Sequence, residues 1–311
     1  MTSRAPVLLL DSASLYFRAF FGVPDRRENP DDPPNNAVRG FLDMIATLVT
    51  AHRPSGLVAC WDDDWRPAFR VEAIPSYKTH RLAENSPVSE ESPEELTPQV
   101  PVIVAALAAL GIPRVGAAGY EADDVIGTLT TRFAGEGRSV DVVTGDRDLF
   151  QLVDDAADVR VLYTARGGVR DPDLVDQAFL RSTYDVASGD AYADFAVLRG
   201  DPSDGLPGVR GVGPKSAAAL LHAHGDLAGI RAALAAGDPS IKGAQRTRLL
   251  EGSDYLDAAP RVVRVVRDID LGPVEPGLPT QVADPALMSR LAVDYRLTGA
   301  FTRVVTALGI A

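Results

Sequence analysis

Four short runs rich in apolar and β-branched residues, VLLLD (7–11), GLVACW (56–61), SVDVVT (139–144) and DVRVLY (158–163), alternate with stretches of helical period such as VRGFLDMIATLVTAH (38–52) and VPVIVAALAALG (100–111). This alternation constrains the fold more than any other feature. Parallel strands joined by helical crossovers cover both faces of a sheet and leave the site outside the carboxyl ends of the strands. An α/β fold with a central, mostly parallel sheet is therefore expected. From about residue 180 the strand patterns stop; helices joined by Gly- and Pro-containing turns follow, with an extended stretch at LGPVEPGLPTQV (271–282). A second, helical subdomain is predicted there. The segment LAENSPVSEESPEELTPQ (82–99) is rich in Ser, Pro and Glu, and its low apolar content predicts poor order between Ala83 and Pro98 in the absence of a ligand.

The acids fall where such a fold would put a site. Asp11 ends the first run, Asp62 to Asp64 follow the second, and Asp146 and Asp148 follow the third within TGDRDLF. Glu121, Asp123 and Asp124 in GYEADDVIGTL open a helix, and Asp201 and Asp204 stand three apart in GDPSDGLPG. Singly, each has a bland reading, since acids favour helix N-termini and Asp with Gly or Pro marks turns. As a set they repel at one sheet edge and persist only if cations neutralise them. Ligation by carboxylate oxygen alone suits Mg²⁺ or Mn²⁺, and two such ions about 4 Å apart are the arrangement that cleaves phosphodiesters. The histidines, His52, His80, His222 and His224, show no metal or triad spacing.

A substrate carrying phosphate needs positive partners, and the net charge of −12 argues against a polyanion unless the basic residues are grouped. Two stretches group them. FRVEAIPSYKTHR (69–81) places Arg70, Lys78 and Arg81 around Tyr77, and GVRGVGPKSAAALL (208–221) is a glycine hairpin entering a helix. There Gly211 and Gly213 would let backbone N–H groups reach a phosphate, with Lys215 and Ser216 at the helix start. Cys60, the single cysteine, lies in an apolar run and reads as core in a reducing compartment. Nothing near the N-terminus reads as a signal peptide, and no run approaches the length of a membrane span. A cytoplasmic protein with no membrane partner is expected.

Together these motifs resemble the 5′ nuclease family, which comprises the 5′→3′ exonuclease domain of bacterial DNA polymerase I, phage 5′ nucleases and flap endonucleases. VLLLDSASLYFRAF, AVRGFL, WDDDWRPAFR, SYKTHR, GYEADDVIGTL, TGDRDLFQL and LRGDPSDGLPGVRGVGPKSAAALL occur in family order along nearly the whole chain. The resemblance implies a PIN-like nuclease core over 1–180, with a helical arch around 75–100. It implies, over 181–311, a helical subdomain holding a helix–two-turn–helix module that grips duplex DNA and carries K⁺, then a C-terminal return segment. It implies that Asp11, Asp62, Glu121 and Asp123 serve one Mg²⁺ or Mn²⁺ ion, with Asp124 nearby through water. Asp146, Asp148, Asp201 and Asp204 would serve a second and any third.

The resemblance also implies that Lys78 and Arg81, on one face of a helix, contact the scissile phosphate. Arg18 and Arg70 would lie near the 5′ strand, with Phe17 and Tyr77 as stacking candidates. The substrate would be DNA with a 5′ flap or end at a duplex junction, cut by a stand-alone, monomeric, nucleoid-associated enzyme of replication and repair. Three departures stand out. The acidic run is one residue longer than the family's, so counting from the strand gives Asp62 and counting back from Arg70 gives Asp63; Asp62 is favoured. Gly205 stands where the family usually has Asn, and the Ser/Pro/Glu segment replaces a compact basic arch. Rival readings are a PIN-type ribonuclease, which has no need of the glycine hairpin, and a DNA-junction-binding protein with weak catalysis, which would be expected to have lost carboxylates or Lys78.

Overall fold

A computed structural model describes residues 4–310 apart from 28, 30, 85, 87 and 88. Its strands are β1 (Val7–Asp11), β2 (Gly56–Trp61), β3 (Arg114–Gly116), β4 (Val140–Thr144), β5 (Val159–Tyr163) and β6 (Asp173–Val175). They form one sheet of order β3-β2-β1-β4-β5-β6, parallel except for β6 against β5. β1 and β2 are buried throughout, as strands covered on both faces must be, which is why their runs are uninterrupted rather than alternating. β3 and β6, three residues each at the two edges, were not foreseen, being too short to carry a period.

The helices of the first part are α1 (Ser12–Gly22), α2 (Asn36–His52), α3 (Ala68–Ala73), α4 (Gln99–Leu110) and α5 (Ala122–Gly135). Those of the second are α6 (Gln177–Tyr184), α7 (Gly189–Arg199), α8 (Pro214–His224), α9 (Leu227–Ala236), α10 (Gly243–Glu251), α11 (Ser253–Val263), α12 (Pro285–Asp294) and α13 (Thr298–Leu308). Asp11, Asp176, Ser188, Asp226 and Asp284 cap α1, α6, α7, α9 and α12 through their side chains, satisfying N–H groups that the helices leave unpaired.

The alternation along β1 divides the core. Val7 and Leu9 face an apolar layer that runs through α5 and on into α7, α8, α9 and α11. Leu8 and Leu10 face α2, α4, α12 and α13. The helical part thus continues one face of the sheet, while the last two helices return to the other. Between them, residues 264–284 pass α5 and reach the start of β2, ahead of its pairing with β3, where Leu57 N–H donates to Pro276 O at 2.6 Å.

The arch is the main departure from expectation. Among the described residues between 82 and 98 there is no helix; a single tight turn, Thr79–Arg81, follows Lys78. The Ser/Pro/Glu segment is held at a few points, for Leu96 is fully buried, Leu82 bridges Glu90, and Glu91 N–H donates to Arg81 O at 2.8 Å, while most of its other described residues are exposed. Residues 85, 87 and 88 of that segment lie outside the described residues.

Candidate active site

β1 pairs with β2 on one side and β4 on the other, so the strand order reverses beside β1. Loops diverge at such a point and open a crevice at the carboxyl ends of the strands. A cleft of about 530 Å³ lies there, lined by Asp11 after β1, Asp62 after β2, Asp146 after β4, and Glu121 and Asp123 at the start of α5, with Lys78 and Arg81 opposite. Phe17, Trp65, His80, Glu90 and Glu91 complete its walls. Asp148, Asp201 and Asp204 do not line the cleft itself, but the charges of Asp146, Asp204 and Asp201 add to burial in raising the proton affinity of Asp148.

Crowding and burial raise the proton affinity of Asp11, Asp62, Asp123, Asp148 and Asp204. Burial, with Asp62 and Asp146 adding to it, pushes Asp11 up to about 7, against the opposing hydrogen bonds from Thr144 Oγ1 (2.6 Å) and Ser14 N–H (3.2 Å). Burial likewise raises Asp123, with Asp11 and Asp146 next in effect, and raises Asp148. Asp62 and Asp204 are raised by burial too, and Lys78 works the other way in both. A cluster of carboxylates that crowding and burial make costly to ionise suits a hard divalent ion in donor type. Among the described residues, however, no three of the Asp, Glu, His or Cys side chains converge on one point as a metal shell requires. An ion would have to draw them inward.

Asp62 accepts the N–H of Ala122 at 2.8 Å and so sits at the mouth of α5. Asp63 instead pairs with Arg114 outside the cleft lining. Of the two residues that counting left open, Asp62 is the one that lines the cleft.

Glu121 is the junction of a buried network. Its Oε1 accepts from Tyr77 OH at 2.8 Å and from Arg70 Nη1 at 3.2 Å, and its Oε2 accepts from Lys78 Nζ. Arg70 also grips Asp124 with two bonds of 2.7 and 2.6 Å and donates to Val262 O at 3.0 Å. Asp124, fully buried, further accepts from the N–H groups of Val266 and Glu121. Although burial opposes its charge, Glu121 and Asp124 hold Arg70 firmly protonated.

Three expectations are corrected here. Arg70, 2% exposed, is an internal counter-ion and has no route to DNA. Tyr77, 3% exposed, uses its hydroxyl on Glu121 and presents no face for stacking. Asp124 has both oxygens engaged by Arg70 and backbone donors and does not line the cleft. Sequence reasoning missed this because the partners are 44 to 192 residues distant.

Lys78 and Arg81 do not share a helical face. Lys78 is left-handed, with φ 49°, and its N–H donates to Asp204 O at 3.0 Å. Its ammonium reaches Glu121, whereas Arg81 bonds Asp204 at 2.7 Å and Ser203 O at 3.1 Å. Both line the cleft, each paired with a carboxylate. Phe17 lines it too, stacked on Tyr16, while Arg18 next to it donates to Ala165 O at 3.2 Å in the loop after β5.

Two turns link α7 to α8. In the first, Asp201 caps the turn Pro202–Asp204 by accepting from Ser203 and lies 3.5 Å from Arg199. Gly205, at φ +72°, is demanded by packing: a Cβ there would fall 2.3 Å from Ser76 O. The residue in place of the family's Asn thus lets the turn close on the Lys78 loop, which also donates Ser76 Oγ to Gly205 O. In the second turn Gly211, at φ +72°, makes room for the Arg248 guanidinium, which a Cβ would meet at 2.3 Å. Arg248, from α10, is a basic neighbour that the hairpin motif alone did not reveal. Gly213, Lys215 and Ser216 open α8, with Gly213 and Lys215 exposed and Ser216 half-buried.

Architecture and cleft together define a two-part α/β nuclease. Models of the 5′–3′ exonuclease N-terminal resolvase-like domain and of the 5′–3′ exonuclease C-terminal SAM fold match residues 6–184 and 187–284. The chain belongs to the 5′–3′ exonuclease family. It is 57% identical over 304 residues to a Streptomyces coelicolor 5′–3′ exonuclease, covering 97% of this chain and 99% of that one. With a Mycobacterium tuberculosis 5′–3′ exonuclease it shares 49% over 316 residues, 98% of each chain. A bacteriophage T5 flap endonuclease solved in a pseudo-enzyme–product complex with DNA and metal ions has a similar fold, with TM-score 0.63, 16% identity and 97% coverage of both chains. Among the described residues no helix is long and apolar enough to cross a membrane.

Proposed function

We propose that the chain hydrolyses DNA phosphodiesters near the junction of a 5′ single strand with a duplex, as a flap endonuclease and a 5′→3′ exonuclease in replication and repair. One observation carries this reading: acids from three neighbouring strand ends meet Lys78 and Arg81 in a single cleft. The turn that leads to α8 is bonded to the Lys78 loop, so a duplex held on that module would lie in fixed relation to the cleft. The phage flap endonuclease of similar fold was solved with DNA and metal ions, which supports reading this chain as a metal-dependent enzyme acting on DNA.

Asp11, Asp62, Glu121 and Asp123 would hold one divalent ion, and Asp146, Asp148, Asp201 and Asp204 a second and a third. Mg²⁺ or Mn²⁺ held there would supply a water of lowered pKa and stabilise the leaving oxygen. Lys78 and Arg81 then orient the scissile phosphate and stabilise the charge that grows on it. The backbone N–H groups of Gly211, Gly213, Lys215 and Ser216 and the Lys215 ammonium bind a phosphate of the duplex, and the hairpin carbonyls hold K⁺.

The test is a 5′-labelled flap duplex incubated with Mg²⁺, with Mn²⁺ and with EDTA. The expected products end in 5′-phosphate and 3′-hydroxyl, have lengths set by the junction, and are absent with EDTA. Cleavage unaffected by EDTA, or single strands cut without regard to the junction, would refute the reading.

A further inference from the structure

The two oxygens of Glu121 are not equivalent. Oε1 already accepts two hydrogen bonds, from Tyr77 OH and Arg70 Nη1, and a carboxylate oxygen offers about two lone-pair sites. Both donors are buried and cannot turn away, Arg70 being fixed on Asp124. Oε2 has one partner, the ammonium of Lys78, which lines the cleft with Glu121. A divalent ion binding Glu121 must therefore take Oε2.

Lys78 stands in that place. Its main chain is pinned by the bond to Asp204 O, so only the four-carbon side chain can move. Its ammonium also bonds Trp65 O at 3.4 Å and lies 5.1 Å from the centroid of the Tyr77 ring. An ammonium and a divalent cation on one oxygen repel each other, and the flexible stem is what yields.

We infer that Lys78 is the resident counter-ion of the carboxylate cluster, and that a divalent ion entering at Glu121 displaces it from Oε2 and frees it for the substrate phosphate. The inference rests on the reading of the cleft as a metal site. It makes phosphate capture by Lys78 conditional on a loaded metal site: until the ion arrives, the ammonium is neutralised and turned inward. Arg81 is the natural comparison, because it carries the same charge into the same cleft but bonds Asp204 and leaves Glu121 untouched.

The chain has three lysines, Lys78, Lys215 and Lys242, and the last two are exposed, so amine labelling reads Lys78 against internal controls. Reductive methylation of the full chain, followed by peptide mass spectrometry, is run in chelator and with Mn²⁺. Lys215 and Lys242 should label equally in both, while Lys78 labelling rises about tenfold with the ion. In parallel, Mn²⁺ titration followed by electron paramagnetic resonance compares Lys78→Gln with Arg81→Gln. Lys78→Gln should tighten the first ion by roughly tenfold, and Arg81→Gln by much less. If Mn²⁺ binds the native chain but Lys78 labelling does not change, or both variants tighten binding equally, displacement is wrong and the metal site stands. If the native chain binds no Mn²⁺, the metal reading falls and the inference with it.

Discussion

Replacing Arg70 separates an internal counter-ion from a DNA contact. The guanidinium makes four hydrogen bonds: one to Val262 O, one to Glu121 and two to Asp124. Arg70→Met keeps most of the apolar stem and removes all four. Glu121 would keep Tyr77 and Lys78, but Asp124, with no exposed surface, would keep only the N–H groups of Val266 and Glu121. Breaking a buried pair from one side costs about 3–5 kcal/mol, most of it the uncompensated charge left behind. Against a total stability of about 5–15 kcal/mol, that is a large fraction, measurable as a shift in urea midpoint at pH 7 in the absence of divalent ions. Asp124→Asn removes the stranded charge, so the double variant should lose less than the sum of the singles, with a coupling of about 1–3 kcal/mol. If Arg70→Met unfolds within about 0.5 kcal/mol of the native chain, as ordinary surface changes do, and instead binds DNA weakly, the burial argument is wrong.

Three further outcomes are expected. Asp11 carries a proton in the folded, metal-free chain up to about pH 7, whereas an unfolded aspartate loses it near pH 4; the folded state then binds more protons, so stability falls by about 1.4 kcal/mol per pH unit across that window. Calorimetry should show Tm falling from pH 5 to pH 7, a slope that Asp11→Asn flattens; an equal slope in the variant would remove Asp11 as its source. Gly205→Ala places a methyl against Ser76 O in a left-handed backbone and should destabilise by about 1–3 kcal/mol, with urea midpoints equal to those of the native chain as the contrary result. Lys215→Ala should weaken duplex binding alike across sequences and reduce the slope of log K against log salt by about 0.9; an unchanged slope would take Lys215 off the DNA.

What could be read in the sequence follows from the range of the forces involved. β1 and β2 match their expected limits to the residue, because a central parallel strand buries every side chain and so writes itself as a continuous apolar run. The acids at their ends were legible for the same reason: a strand end is a local event. β3 and β6 were not, since three edge residues carry no period. Arg70, Tyr77 and Asp124 were misassigned because a motif gives residue types in order but not the direction in which a side chain points. Each lies within a few residues of a cleft-lining group, yet turns to a partner from a distant segment. The spacing of Lys78 and Arg81 invited a helix, and the left-handed turn at Lys78 breaks it. That break divides the pair, sending one cation to Glu121 and the other to Asp204. Two basic residues read as a single phosphate clamp are therefore the counter-ions of two different carboxylates, and they differ in freedom: Arg81 bonds Asp204 and Ser203 through Nη2 alone and keeps its other N–H groups for a phosphate, whereas the Lys78 ammonium is committed to Glu121.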